Sequence, residues 1–263
     1  MSRLGKTFER LHAAKATGLV AYVTAGDPDI QRSREIIRAV ARGGADVIEV
    51  GVPFSDPVAD GPAIQRASER ALAAGCHLGA VLDMIADVRP DVEAPLVLFT
   101  YVNPVLRFGV DAFVARAADA GVDGALVLDV PIEESAFIRD PLERRGIDQI
   151  FLVSPTTSDE RLALAGRLGR GFLYAISRLG VTGSRASVSD AAKPLADRIR
   201  KVTTLPVALG FGLSRPEHVR EVGRFADAAV VGSALVQVIA EASKSGGDPA
   251  ARAEEFVRWL KTG

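Results

Sequence analysis

Short apolar, β-type runs recur along this 263-residue chain at roughly thirty-residue intervals, each followed by a helix-like polar segment. They span Leu19–Thr24, Asp46–Gly51, Pro95–Tyr101, Gly124–Asp129, Gln149–Val153, Gly171–Ser177, Pro206–Gly210 and Asp227–Val231. Their near-continuous Val, Ile, Leu and Ala content suits strands buried on both faces of a parallel sheet. Helical periodicity fills the intervals. In Ile30–Arg42, for example, Ile30, Ile37, Val40 and Ala41 fall mainly on one face, and Gly43-Gly44 stops the helix. Right-handed crossovers close eight such units into a ring. The pattern therefore predicts an α/β fold, a single (β/α)8 TIM barrel over residues 1–263. An open doubly wound sheet is the competing architecture, but the first strand is not followed by a Gly-x-Gly-x-x-Gly turn.

Composition narrows the class of function. With 48% apolar and 25% charged residues the chain can bury a full core, and a net charge of −1 provides no field for nucleic acid or an anionic membrane. Cys76 is the only cysteine, which excludes an internal disulfide and suits a reducing cytosol. Residues Met1 to Thr17 have no apolar core of signal-peptide type, and runs such as Ala125–Leu128 and Ala226–Val231 are too short to span a bilayer. The expectation is a cytoplasmic protein that engages neither membrane nor nucleic acid.

Barrel active sites lie at the C-terminal ends of the strands. In Asp46–Gly51, period-two alternation places Val47, Glu49 and Gly51 on one face, with Ile48 and Val50 toward the helices. Glu49 then points into the barrel, where burial raises a carboxyl pKa and suits it to general acid or base work. The alternative is a structural glutamate paired with a cation, for which Arg178 is the only basic residue near a strand end. Asp60 lies in the ordered, polar loop from Pro53 to Pro62. Spacing alone leaves open whether it acts in catalysis or caps the helix starting at Pro62.

Three glycine turns fall where these barrels hold phosphate: Gly180–Gly183, Gly210-Phe211-Gly212 and Gly232-Ser233. Backbone N–H groups and a helix N-terminus suffice there without a basic side chain. None of the six lysines ends a predicted strand, which leaves a Schiff-base mechanism without its nucleophile. His12, His77 and His218 have no metal-ligand spacing, and no motif supports a magnesium site from Glu49, Asp60 and Asp129, so no metal is expected.

The stretches Tyr22–Pro28, Glu49–Gln65 (EVGVPFSDPVADGPAIQ), Asp129-Val130-Pro131, Ser177–Gly183, Gly210–Gly212 and Val231–Ser233 together resemble the tryptophan synthase alpha subunit, in order and over essentially the whole chain. The resemblance implies a cofactor-free retro-aldol lyase that cleaves indole-3-glycerol phosphate to indole and glyceraldehyde 3-phosphate. Glu49 matches the general acid/base and Asp60 the carboxylate on the indole N–H. Tyr174 matches a pocket tyrosine, and Tyr22, Phe99, Tyr101 and Phe211 would form much of the slot for the indole ring, with Leu128 narrowing it. Thr182 and Gly183 match a mobile loop, with Thr182 reaching toward Asp60. Gly183, Gly212, Gly232 and Ser233 match the phosphate cradle. A pyridoxal-phosphate beta subunit is the implied partner, in an alpha2-beta2 heterotetramer that docks on Pro53–Asp60, Asn103-Pro104 and Pro131. Rival readings are a lyase acting without a beta subunit and a non-catalytic barrel that only activates one.

Overall fold

The computed structural model describes residues 1–176, 190–210 and 212–263. Its strands are β1 (Gly18–Thr24), β2 (Val47–Gly51), β3 (Leu96–Thr100), β4 (Gly124–Val127), β5 (Asp148–Gln149), β6 (Phe151–Val153), β7 (Leu173–Ile176), β8 (Val207–Gly210) and β9 (Ala228–Val231). Every pair is parallel, in the order β5-β4-β3-β2-β1-β9-β8-β7-β6. Only Ile150 separates β5 from β6, and its N–H donates to the Ala125 carbonyl at 2.9 Å. The two pieces are thus halves of one strand, and the ring of eight closes through it as a TIM barrel with helices outside. The predicted fifth strand, Gln149–Val153, is interrupted at this point. There the buried Gln149 amide donates to the Ile150 carbonyl at 3.1 Å, occupying a backbone acceptor.

Each predicted strand has its observed counterpart, and the trimmed ends have visible causes. Pro95 has no N–H for a ladder. Asp46 binds Arg10 and Lys261 through its carboxylate, and Asp129 accepts the Val102 N–H at 2.7 Å, starting the helix Val102–Phe108. A repeated device also emerges at the N-terminal rim. Asp46, Asp123 and Asp227, each just before the start of a strand, accept an N–H from the first or second residue of the preceding strand, Leu19, Leu96 and Val207.

Alternation sorts the side chains into two sets. Leu19, Ala21, Val23, Ile48, Val50, Leu96 and Leu98 face the helices in the main core. Val20, Val47, Val97, Leu126, Ile150, Phe172, Ala208, Ala228 and Val230 fill the barrel interior. Below them sits a helix absent from the sequence expectation, Arg3–Ala13, which buries Leu4, Phe8 and Leu11 against that interior. Its arginines reach Asp123 and Asp46, so it closes the bottom of the barrel. That leaves the opposite end, where the strands have their C-termini, open for the site.

Candidate active site

Above the packed layers, the inward positions become aromatic and acidic. Tyr22 and Glu49 lie side by side in register on β1 and β2, and both are buried. Phe99 meets the Tyr22 ring edge-on at 5.2 Å and the Tyr174 ring at 6.4 Å. Gly51 has no side chain for a direct reason: a Cβ there would fall 2.1 Å from the Tyr22 hydroxyl. Gly210 yields in the same way to Tyr174, whose hydroxyl would lie 2.8 Å from an added Cβ.

Glu49 is 0% exposed, and neither carboxylate oxygen has a hydrogen-bond partner among the described residues. The structural alternative of an ion-paired glutamate therefore finds no partner there. An ionised carboxylate in such a place is costly, so burial lifts the Glu49 pKa to about 8 and keeps the group protonated at neutral pH. Burial raises the Tyr22 and Tyr174 phenols, and Glu49 once ionised adds to the rise in both, after Asp60 in the case of Tyr22.

Asp60 is buried at the edge of the same space. The helix that follows, Pro62–Ala73, has Gly61 as its N-cap with no side-chain capping bond, so Asp60 is not the cap that spacing had left open. Its carboxylate accepts instead from the Tyr101 hydroxyl at 3.0 Å, and that hydroxyl accepts the Ala59 N–H at 3.1 Å. Burial raises the Asp60 pKa to about 6, and the Tyr101 bond holds it back from rising further. Two carboxyl groups on one site thus carry different protonation states at neutral pH, the arrangement that separates an acid from a base.

A cavity of about 210 Å³ opens here, lined by Asp60, Tyr22, Phe99 and Tyr174 together with Gly210, Gly212, Gly232 and Ser233. The helix Ser233–Lys244 starts at these glycines, with Gly232 as N-cap and no side-chain cap. Its first-turn N–H groups have no intrahelical partners, and the dipole favours an anion there. Gly212 sits at φ +74°, a conformation L side chains rarely adopt. Gly232 has a negative φ, and an added Cβ would come no closer than 3.4 Å to a neighbour.

Most of the sequence-predicted residues converge, with some differences. Glu49 does not itself line the cavity but lies in the layer beneath it, covered by its neighbours. Tyr101 is not on the wall of the slot, as expected from the resemblance. It stands behind Asp60 against the Phe54 ring at 5.1 Å, because its hydroxyl is engaged by Asp60 and Ala59. The apolar wall is built instead by residues the sequence reading had not assigned: Ile64, Leu152, Ile176, Leu213 and Val230, together with Leu128. Period-two counting one step beyond the packed layer reaches Leu128 from Leu126 and Leu152 from Ile150, and two steps from Phe172 reach Ile176, so for these the signal was present. Thr182, Gly183, Phe211 and Arg178 lie outside the described residues.

This geometry coincides with known relatives. The family model for the tryptophan synthase alpha chain matches residues 8–263. The chain is 47% identical over 263 residues to the tryptophan synthase alpha chain of Solibacter usitatus, covering 100% of this chain and 98% of the relative. It is 41% identical over 260 residues to that of Arabidopsis thaliana, covering 98% and 94%. Among solved structures, Mycobacterium tuberculosis tryptophan synthase superposes with a TM-score of 0.90 at 38% identity, covering 100% of this chain and 99% of that one. Tryptophan synthase subunit alpha from Legionella pneumophila gives 0.89 at 37% identity, covering 99% and 97%. With Asp60 and a helix N-terminus on one cavity and Glu49 buried beside it, and with relatives matching from end to end, the chain belongs to the tryptophan synthase alpha chain family, enzymes of tryptophan biosynthesis.

Proposed function

We propose that this chain cleaves indole-3-glycerol phosphate to indole and glyceraldehyde 3-phosphate without a cofactor of its own. The observation that carries the reading is one cavity that Asp60 and a helix N-terminus both line, with Glu49, a carboxyl of unlike basicity, buried beside its Tyr22 wall. A phosphate at Gly212, Gly232 and Ser233 would lay the indole ring between Phe99, Leu128 and Tyr174, with its N–H toward Asp60. Glu49, protonated at neutral pH, donates its proton to the ring carbon that bears the glycerol chain. The ring nitrogen becomes positive, and ionised Asp60 stabilises that charge, an interaction present mainly in the transition state. Glu49, now a carboxylate, takes the proton of the neighbouring glycerol hydroxyl. Its O–H electrons form the aldehyde carbonyl, the carbon–carbon bond breaks, and those electrons return to the ring to give indole.

A beta subunit carrying pyridoxal phosphate is the proposed partner, in an alpha2-beta2 complex. The surface inferred for it is open to solvent: Ser55, Asp56, Val58, Asn103 and Pro131 are all exposed. Among the described residues no single helix is long and apolar enough to cross a membrane; the proposed location is the cytoplasm. The deciding experiment is incubation of the pure chain with indole-3-glycerol phosphate, alone and with a beta subunit, following indole. Absence of indole under both conditions refutes the reading.

A further inference from the structure

Outside the chemistry just described, one buried charge on the catalytic face has no part in it. Asp27, in the loop that follows β1, is 4% exposed. Its carboxylate receives two parallel hydrogen bonds from Arg70, from Nε at 2.7 Å and from Nη2 at 2.8 Å. Bidentate arginine–carboxylate pairs fix orientation as well as distance. Arg70 lies in the last turn of the helix Pro62–Ala73, which enters directly from the Asp60 loop.

At its entry that helix rests Ile64 and Ala67 on a small cluster with Tyr22 and Val236 that is separate from the main core. It carries site groups: Ile64 lines the cavity, and Gln65 donates to the Asp60 carbonyl at 2.8 Å. Toward its far end, the β1 loop lies directly against it. A Cβ on Gly26 would come within 3.3 Å of the Ala71 methyl and 2.6 Å of the Cys76 sulfur. The loop is in turn fixed to the next helix, where Ser33 Oγ accepts the Gly26 N–H at 3.0 Å.

We infer that the Asp27–Arg70 pair is a positioning strap, which seats the helix Pro62–Ala73 on the β1 loop and thereby places the Asp60 carboxylate. The inference rests on the proposed role of Asp60. Breaking the strap frees the helix to slide or tilt, which displaces Asp60 and Ile64, while Gly210 and Gly212, carried by β8 and the turn after it, stay in place. Losses on the order of 10-fold to 100-fold follow when a catalytic group is misplaced by about an ångström.

The test is a double-mutant cycle of Arg70→Gln with Asp60→Asn, read by indole release in single turnovers, with Arg70→Lys and Asp27→Asn alongside. Arg70→Gln is expected to lower turnover by about 10-fold or more in the parent and by less than about 3-fold on the Asp60→Asn background, because coupled sites are not additive. Asp27→Asn should match it, and Arg70→Lys, which keeps the charge but not the fork, should recover part of the loss. The acid limb of the pH–rate profile should move, while inhibition by glycerol phosphate stays within about 2-fold. A purely structural pair predicts equal fractional losses on both backgrounds, and that result overturns the proposal. So does undiminished turnover in Arg70→Gln. Should Arg70→Gln fail to fold by circular dichroism, Arg70→Lys supports the same cycle. If Asp60→Asn is itself fully active, the reading of Asp60 falls and the strap falls with it. A crippled Asp60→Asn with additive losses removes the strap alone.

Discussion

Glu49→Gln should make the protein more stable as it makes it inactive, and the gain should depend on pH in a defined way. Burial raises the Glu49 pKa from an ordinary 4.5 to about 8. In the folded state the carboxyl therefore holds its proton across a range where the unfolded chain releases it. Its contribution to stability is fully present below pH 4.5, declines as pH rises, and is lost by about pH 8. The interval is three and a half pH units, 8 minus 4.5, at about 1.4 kcal/mol each, or roughly 5 kcal/mol in total. About 3 kcal/mol of that is already expressed at pH 7. Glutamine has no such titration; a buried amide without partners is also costly, but that cost does not vary with pH. The difference in unfolding free energy between variant and parent should therefore rise by about 1.4 kcal/mol per pH unit between 5 and 8 and level off above. Urea unfolding followed by circular dichroism at a series of pH values measures it, provided that both transitions are two-state. Indole release should fall by about 10² to 10⁴-fold in the same variant, the usual worth of a general acid. A pH-independent difference would show that Glu49 ionises in the folded protein as it does in water, and the acid role argued from burial would be wrong.

The other predictions follow from the same site. Parent turnover should follow a bell in pH, with an acid limb near 6 from Asp60 and a basic limb near 8 from Glu49, because one must be ionised and the other protonated. Asp60→Asn should cost at least about 2 kcal/mol in activation free energy and remove the acid limb, whereas a spectator aspartate would leave both unchanged. Tyr101→Phe deletes the hydrogen bond that holds the Asp60 pKa down, so the acid limb should move up and neutral-pH turnover fall roughly 10-fold, the scale of a bond to a charged group. An unmoved limb would mean the bond does not act on the reactive carboxylate. Gly232→Val should raise KM and abolish weak inhibition by glycerol phosphate with the fold intact, since its φ is negative and an added Cβ meets Tyr22 only at ordinary van der Waals distance. Gly212→Val cannot make this distinction, because its positive φ strains any substitution. Asp56→Ala, on the exposed loop, should reduce stimulation by a beta subunit while sparing the basal rate, and equal loss of both would place Asp56 in the active site itself.

The sequence by itself determined the elements and the direction in which they close. A period of two within apolar runs, and helical segments between them, leave few topologies that bury every strand on both faces. The same alternation put Glu49 inside the barrel and Ile48 and Val50 outside, as found. The glycine turns marked Gly210, Gly212 and Gly232, which line the cavity, because glycine is needed wherever backbone conformation or close approach excludes a side chain, and such needs leave a trace in the residue type. Tertiary structure decided what depends on neighbours far away in the chain. That Asp60 is held by Tyr101 instead of capping its helix, that Gly51 is bare because the Tyr22 hydroxyl crosses it, and that the polar Arg3–Ala13 helix seals the barrel are facts of distance between separate strands. So is the pKa of Glu49. A carboxyl's basicity is set by what surrounds it on all sides, and a one-dimensional pattern can indicate that a position faces inward without showing whether a cation, a phenol or nothing polar awaits it there.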